Sequence, residues 1–260
     1  MIHQTRFELP DIEINSEGDV LVFDKPYQCT SFDLVGKVKK YIRQAENRNE
    51  KGETDNVDAT FMVAQNPTPE PRNPKLRKIK VGHAGTLDPL ATGVMIICVG
   101  LFTKKIEQFQ NLEKEYMGTL ILGITTPSFD LEKPADEMFS IEHITEEKIF
   151  ETAKTFVGEQ EQVPPYFSAV KVDGKRAYLL ARQGIEPKIN PKRITISSFE
   201  ITRIALPEVD FKIVCSKGTY IRSIARDFGQ KLESGAHLTA LRRTRIGEFK
   251  VEEAIRVISG

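Results

Sequence analysis

The stretch Val81-Gly82-His83-Ala84-Gly85-Thr86-Leu87-Asp88-Pro89-Leu90-Ala91-Thr92-Gly93 sets one carboxylate, Asp88, in a tight glycine-bounded loop. An apolar run, Val94 to Val99, follows at once and reads as a buried strand. Pro89 biases Asp88 toward an extended backbone, and Gly82, Gly85 and Gly93 allow close approach or positive φ around it. A fixed acid at a strand edge suits catalysis better than packing. A lone Asp-Pro pair usually does no more than cap a turn; the length of this string argues against that plain reading.

Working outward, Val20 to Phe23 reads as a strand ending at Asp24-Lys25-Pro26. Thr30-Ser31 offers an N-cap for a helix from about Phe32 to Arg43, with Phe32, Val35, Val38 and Ile42 on one face. From Gln44 to Arg77 the composition turns polar, then Pro67, Pro69, Pro71 and Pro74 break regular structure. This predicts a mobile insertion at 44–77. Beyond the Asp88 loop, the pattern predicts a helix over Thr103 to Leu112 and a strand over Glu115 to Ile124. An amphipathic helix follows over Thr145 to Val157, capped by Thr145. Ser168 to Val172 reads as a strand, Arg176 to Arg182 as a helix closed by Gly184, and Arg193 to Ile204 and Val209 to Cys215 as strands. Thr219 to Leu232 and Glu252 to Val257 read as helices. The irregular interleaving lacks a steady βαβ rhythm and predicts an α+β fold with a mixed, largely antiparallel sheet flanked by helices.

The 260 residues suffice for a substantial core, and the composition is ordinary, with 40% hydrophobic and 28% charged residues. No apolar run reaches the roughly 20 residues of a membrane span, and the N-terminus lacks a signal core. Cys29, Cys98 and Cys215 are widely spaced, which argues against a disulfide framework. The four histidines lack metal-ligand spacing. These features predict a cytoplasmic protein without a metal site. Net charge is zero, yet Lys75 to Lys80, Lys104-Lys105, Lys175-Arg176 and Arg242-Arg243 with Arg245 form local basic runs. Converging on one cleft, they would make a phosphate track.

Several strings stand together in order: Asp24-Lys25-Pro26 with Thr30-Ser31, the Gly82 to Gly93 loop, Lys114-Glu115-Tyr116, Cys215 to Arg222, Gly235-Ala236-His237-Leu238, and Leu241-Arg242-Arg243. From about Gly18 to Phe249 they resemble the TruB family of tRNA pseudouridine synthases, whose eukaryotic and archaeal relatives are dyskerin-like. The resemblance implies that Asp88 is the catalytic aspartate and Arg222 the arginine that pairs with it. It implies that Tyr116 stacks on the target uracil and removes the C5 proton, and that His83 fills the space left by the flipped base. Tyr220 and Leu241 are implied as pocket residues, and Lys104 as a lysine near the site. Singly, Tyr116 reads as a strand aromatic and Arg222 as a surface ion pair; the ordered set carries the functional reading.

The implied reaction converts uridine 55 of the tRNA T loop to pseudouridine, without metal or organic cofactor, through a flipped-out base. A glycoside hydrolase would need a second carboxylate about 5–9.5 Å away, and no second acid sits in a comparable motif. Rival readings are an RNA-binding protein without catalysis, and a synthase for another RNA or within a ribonucleoprotein. The implied partner is the T arm of tRNA, bound by a monomer with no membrane association. Gln28 stands where the family's first motif carries glycine, so that turn is expected to take a different backbone path. Bacterial members commonly carry a small RNA-binding domain after the catalytic part. Here one catalytic domain over 1–260 is expected, with no C-terminal RNA-binding domain. The insertion, with Lys75 to Lys80, is expected to help grip RNA in its place. Deleting residues 48–72 should therefore weaken tRNA binding; unchanged affinity in a filter-binding titration would refute this role.

Overall fold

A computed structural model describes residues 7–15, 17–51 and 79–259. Alternation builds the sheet: strand β1 (Val20–Lys25) buries every second residue, and β7 (Glu208–Cys215) turns Val209, Phe211, Ile213 and Cys215 inward. The other strands are β2 (Val81–His83), β3 (Thr92–Val99), β4 (Lys114–Leu122), β5 (Gly158–Gln162), β6 (Lys192–Ala205), β8 (Ala236–Ile246) and β9 (Ile255–Arg256). They run in the order β9-β1-β3-β8-β4-β7-β6-β5, with β2 beside β3 and a short strand, Phe249–Lys250, beside β8, making a sheet of ten strands. Only two of these pairings are parallel, β9 with β1 and β8 with β3. The fold is thus the α+β, largely antiparallel arrangement expected.

The β3–β8 pairing is the seam of the molecule. It spans two residue pairs, Arg242 with Thr92 and Arg243 with Gly93, and joins two largely antiparallel half-sheets. One half carries a core of Leu21, Phe23, Met95 and Ile97 against helix α1 (Ser31–Lys51). The other packs Phe156, Phe199, Phe211 and Phe228 around helices α2 (Glu146–Lys154) and α3 (Ile221–Lys231). Phe199 lies within 6 Å, centroid to centroid, of each of the other three rings, a spacing at which aromatic pairs attract.

Several boundaries differ from the sequence reading. Helix α1 runs to Lys51, because Gln44 to Lys51 holds no proline or glycine to stop it. The remainder of the expected insertion, 52–77, lies outside the described residues. The buried face of α1 is Leu34, Val35, Val38 and Ile42, while Phe32 is 75% exposed. The expected helix over Thr103 to Leu112 is a 3-10 turn, Gly100–Lys105, followed by a short helix, Ile106–Asn111. Of Ser168 to Val172 only Lys171–Val172 is a strand, and Ala177–Ala181 is the helix that follows. The expected helix at Glu252 to Val257 is a single 3-10 turn, Val251–Glu253, and then β9. There Ile255 pairs with Phe23, so sheet pairing overrides local helical preference. Thr145 does cap α2, its hydroxyl accepting from the Lys148 amide at 3.3 Å.

Gln28 adopts φ 60°, the left-handed region that glycine enters freely. A left-handed non-glycine residue carries about 1–2 kcal/mol of strain, partly offset because glycine loses more chain entropy on folding. Gln28→Gly should accordingly stabilise the fold by about 0.5–1 kcal/mol; a denaturation midpoint that falls would contradict the strain.

Candidate active site

The loop between β2 and β3 carries Asp88 and is tied down from three sides. Ser31, at the start of α1, accepts the Leu87 amide at 3.0 Å and donates to the Leu87 carbonyl at 3.1 Å. Lys25 is fully buried and donates to the carbonyls of Pro26, Cys29 and Pro89 at 2.9, 2.6 and 3.3 Å. Arg243, 1% exposed, passes beneath the loop and donates to the Val94 carbonyl at 2.7 Å, with longer contacts to Gly85 and Thr86. Both flanks of Asp88 are thus fixed by groups buried before any ligand arrives.

Arg222 lies in the first turn of α3, where the helix N-terminus also favours nearby carboxylates. Its guanidinium grips Asp88 with two parallel bonds, Nε to Oδ2 at 2.9 Å and Nη2 to Oδ1 at 3.0 Å. It also donates to the carbonyls of Ser128 and Phe167, and Asp130 stands 3.6 Å away. Burial works to lower the Arg222 pKa, but Asp88 and Asp130 outweigh it and hold the guanidinium above its ordinary value. The start of α3 is fixed by buried Gln162, which accepts from the Tyr220 amide and donates to the Tyr220 carbonyl.

A cleft of about 760 Å³ opens over this pair. Asp88, Tyr116, Tyr220, Arg222 and Leu241 all line it, so five of the seven expected site residues come together. The Asp88 side chain keeps 35% of its surface open, whereas Arg222 keeps 5%. Burial pushes the phenols of Tyr116 and Tyr220 above their ordinary pKa, so both carry their protons at neutral pH. The other two residues stand apart from the lining. His83, in β2, meets Phe32 edge-on with ring centroids 5.8 Å apart; burial lowers its pKa and favours the neutral ring. Lys104 is exposed on the 3-10 turn after β3.

Four features escaped the sequence reading. Asp130, outside the motif strings, is a second buried acid that shares Arg222. Lys114 also lines the cleft, donating to the carbonyls of Gln110 and Leu112; burial brings its pKa down to about 8, as it does for Lys25. The basic rim of the cleft is Arg182, Lys192, Arg193 and Lys217, and of the described residues in the basic runs noted in sequence only Arg243 joins the lining. Arg242 instead turns to Asp24, bonding its carboxylate at 3.0 and 2.7 Å. The rim converges through tertiary folding, which local charge counting does not capture.

Among the described residues no three His, Cys, Asp or Glu side chains gather where they could hold a metal ion, and no helix is long and apolar enough to cross a membrane. Cys29, Cys98 and Cys215 are free and buried.

Comparison with known proteins places this geometry. Residues 73–221 match the TruB family pseudouridylate synthase N-terminal domain, and residues 222–258 match the tRNA pseudouridylate synthase B C-terminal domain. Proteins named tRNA pseudouridine synthase B align along nearly their whole length. The one from Flavobacterium johnsoniae is 51% identical, covering 93% of this chain and 93% of its own. That from Bacteroides fragilis is 49% identical, covering 92% and 91%. Among solved structures, a Cbf5-Nop10-Gar1 complex superposes with a TM-score of 0.58 at 25% identity, covering 97% of this chain. An H/ACA RNP bound to a substrate RNA gives 0.58 at 22%. This chain spans only about 60% of those chains, so they speak to the fold. By sequence over both matched regions, the chain belongs to the TruB family of pseudouridylate synthases.

Proposed function

We propose that this protein isomerises uridine 55 in the T loop of tRNA to pseudouridine, with Asp88 as its catalytic group. The carrying observation is the Asp88–Arg222 ion pair, partly open to solvent on the Asp88 side, on the floor of a cleft lined by two tyrosines. The family membership and the tRNA synthase names of relatives about half identical in sequence support the substrate. The exposed rim cations Lys192, Arg193 and Lys217 suit an RNA backbone. Buried free cysteines suit a reducing, cytoplasmic setting. In this reading residues 1–260 act as one catalytic domain.

The chemistry follows from the residues. The target uridine leaves its stack and enters the cleft, where a tyrosine face contributes on the order of 1–3 kcal/mol of stacking. The two bonds from Arg222 aim Asp88, as nucleophile at C1′ or as acceptor of a ribose proton. The N1–C1′ bond breaks, the uracil turns, and a C5–C1′ bond forms. The C5 proton then leaves, its electron pair forming the C5=C6 bond while N1 takes up a proton. No water is added overall. Tyr116 and Leu241 hold the base during rotation. His83, neutral and hydrogen-bond capable, suits the vacated place in the RNA stack, and Lys104 an RNA phosphate nearby.

Because Arg222 retains Asp130, Ser128 and Phe167 as partners, Asp88→Asn should fold normally. Tritium release from tRNA labelled at uridine C5 should reach about one equivalent with the wild type and vanish in Asp88→Asn. Tight tRNA binding with no release by the wild type would favour an RNA-binding role instead. Arg222→Ala should lose activity and also stability, by about 3 kcal/mol, since it strands the buried Asp130 carboxylate and leaves the half-open Asp88 unpaired; an unchanged thermal midpoint would contradict that account.

A further inference from the structure

Arg243 is a fully buried cation that the mechanism above does not use. On the main chain its guanidinium donates to the carbonyls of Val94 at 2.7 Å, Gly85 at 3.4 Å and Thr86 at 3.5 Å. A buried guanidinium bound to neutral acceptors alone is an expensive arrangement, which calls for a return elsewhere. Its surroundings supply one. Arg243 stands directly opposite Tyr116 in the β8–β4 register, and both line the cleft. Its backbone pairs with Gly93, and the Gly85 carbonyl it reaches lies three residues before Asp88.

We propose that Arg243 is a positioning residue of the isomerisation: a fixed cation that orders the Asp88 loop from beneath and holds the Tyr116 hydroxyl as a hydrogen-bond acceptor. A guanidinium has only donors, so a phenol bonded to it presents its oxygen to Arg243 and is favoured in the ionised form. Three groups act electrostatically on the Tyr116 hydroxyl: Arg243 from β8, Cys215 from β7 and Asp88 from the loop. Burial raises the phenol's pKa most strongly; Arg243 opposes this by charge and by hydrogen bonding, while Asp88 adds to it. Cys215 is itself pushed up to about 11 and stays a neutral thiol. Arg243 is therefore the group that offsets the cost of a phenolate at this position. The same cation also works to lower the pKa of Lys25, His83 and Lys114 around the cleft.

This inference rests on the functional reading for its link to catalysis, but its physical core can be measured without activity. The experiment compares wild type, Arg243→Met, Arg243→Lys, Tyr116→Phe and the Arg243→Met/Tyr116→Phe double variant. The first readout is the titration of Tyr116 by NMR of protein carrying ¹³C at tyrosine Cζ, with the signal assigned by its loss in Tyr116→Phe. The second is kcat and KM for tritium release from C5-labelled tRNA. In Arg243→Met the Tyr116 titration should move to higher pH, and kcat should fall roughly 100-fold with KM within about twofold. The loss in the double variant should be clearly smaller than the product of the two single losses. Arg243→Lys, which keeps the charge, should hold the titration near wild type and recover at least about tenfold of the lost kcat; it also carries the test if the methionine variant does not fold. An unmoved titration, a loss in KM alone, additive losses in the double variant, or a lysine variant as slow as the methionine one would each overturn the proposal. Wild type inactive on tRNA would sink the functional reading instead, while the titration still decides whether Arg243 governs Tyr116.

Discussion

Two residue pairs of parallel sheet hold this molecule together at its centre. Where Thr92 and Gly93 of β3 meet Arg242 and Arg243 of β8, two largely antiparallel half-sheets become one surface, each with its own helices and core. The Asp88 loop leads directly into this seam. It therefore inherits the rigidity of both halves, and the cleft lies where the N-terminal half's loop meets Arg222 and Tyr116 of the C-terminal half. The boundary between the two matched family models falls at Arg222, the residue that reaches across to Asp88. A long-range ion pair between the two parts of the chain is what turns a strand junction into a reactive site.

The electrostatics of the cleft are lopsided. Arg222, Arg243, Lys25 and Lys114 are all buried, against the buried Asp130 and the half-open Asp88. Cations packed so closely repel, and Arg243 contributes to the lowered pKa of both lysines. For Lys25, with its pKa brought down to about 8, the folded state resists protonation. Its associated stability is thus greatest above pH 10.5, and is lost as the pH falls toward 8. A site that tolerates this excess is matched to an anionic guest, whose phosphates complete the charge balance only when bound.

How much of this was legible in the sequence depended on the range of the interaction. The Asp88 string, the strand alternation around Tyr116 and the amphipathic turn carrying Arg222 are local patterns, and all three sit where expected in the fold. Asp130 was not legible, because its importance comes from sharing a guanidinium 92 positions later in the chain. Nor was the rim of Arg182, Lys192, Arg193 and Lys217, which folding assembles from three separate segments. Of the expected inner face of α1, Val35, Val38 and Ile42 are buried, but at its first turn Leu34 takes the inner position and Phe32 stays exposed. The end of the chain misled because pairing of Ile255 with Phe23 draws a helix-compatible segment into the sheet.

Gly93 shows what the seam means for the history of such a protein. Any side chain there would bring its first carbon to 2.1 Å from the Arg243 carbonyl oxygen, with φ already at 108°. Every amino acid other than glycine adds that carbon, so no single step through the genetic code leaves this position unharmed. The seam has no latitude here, and the lineage can adjust its active site only around a point that cannot itself drift.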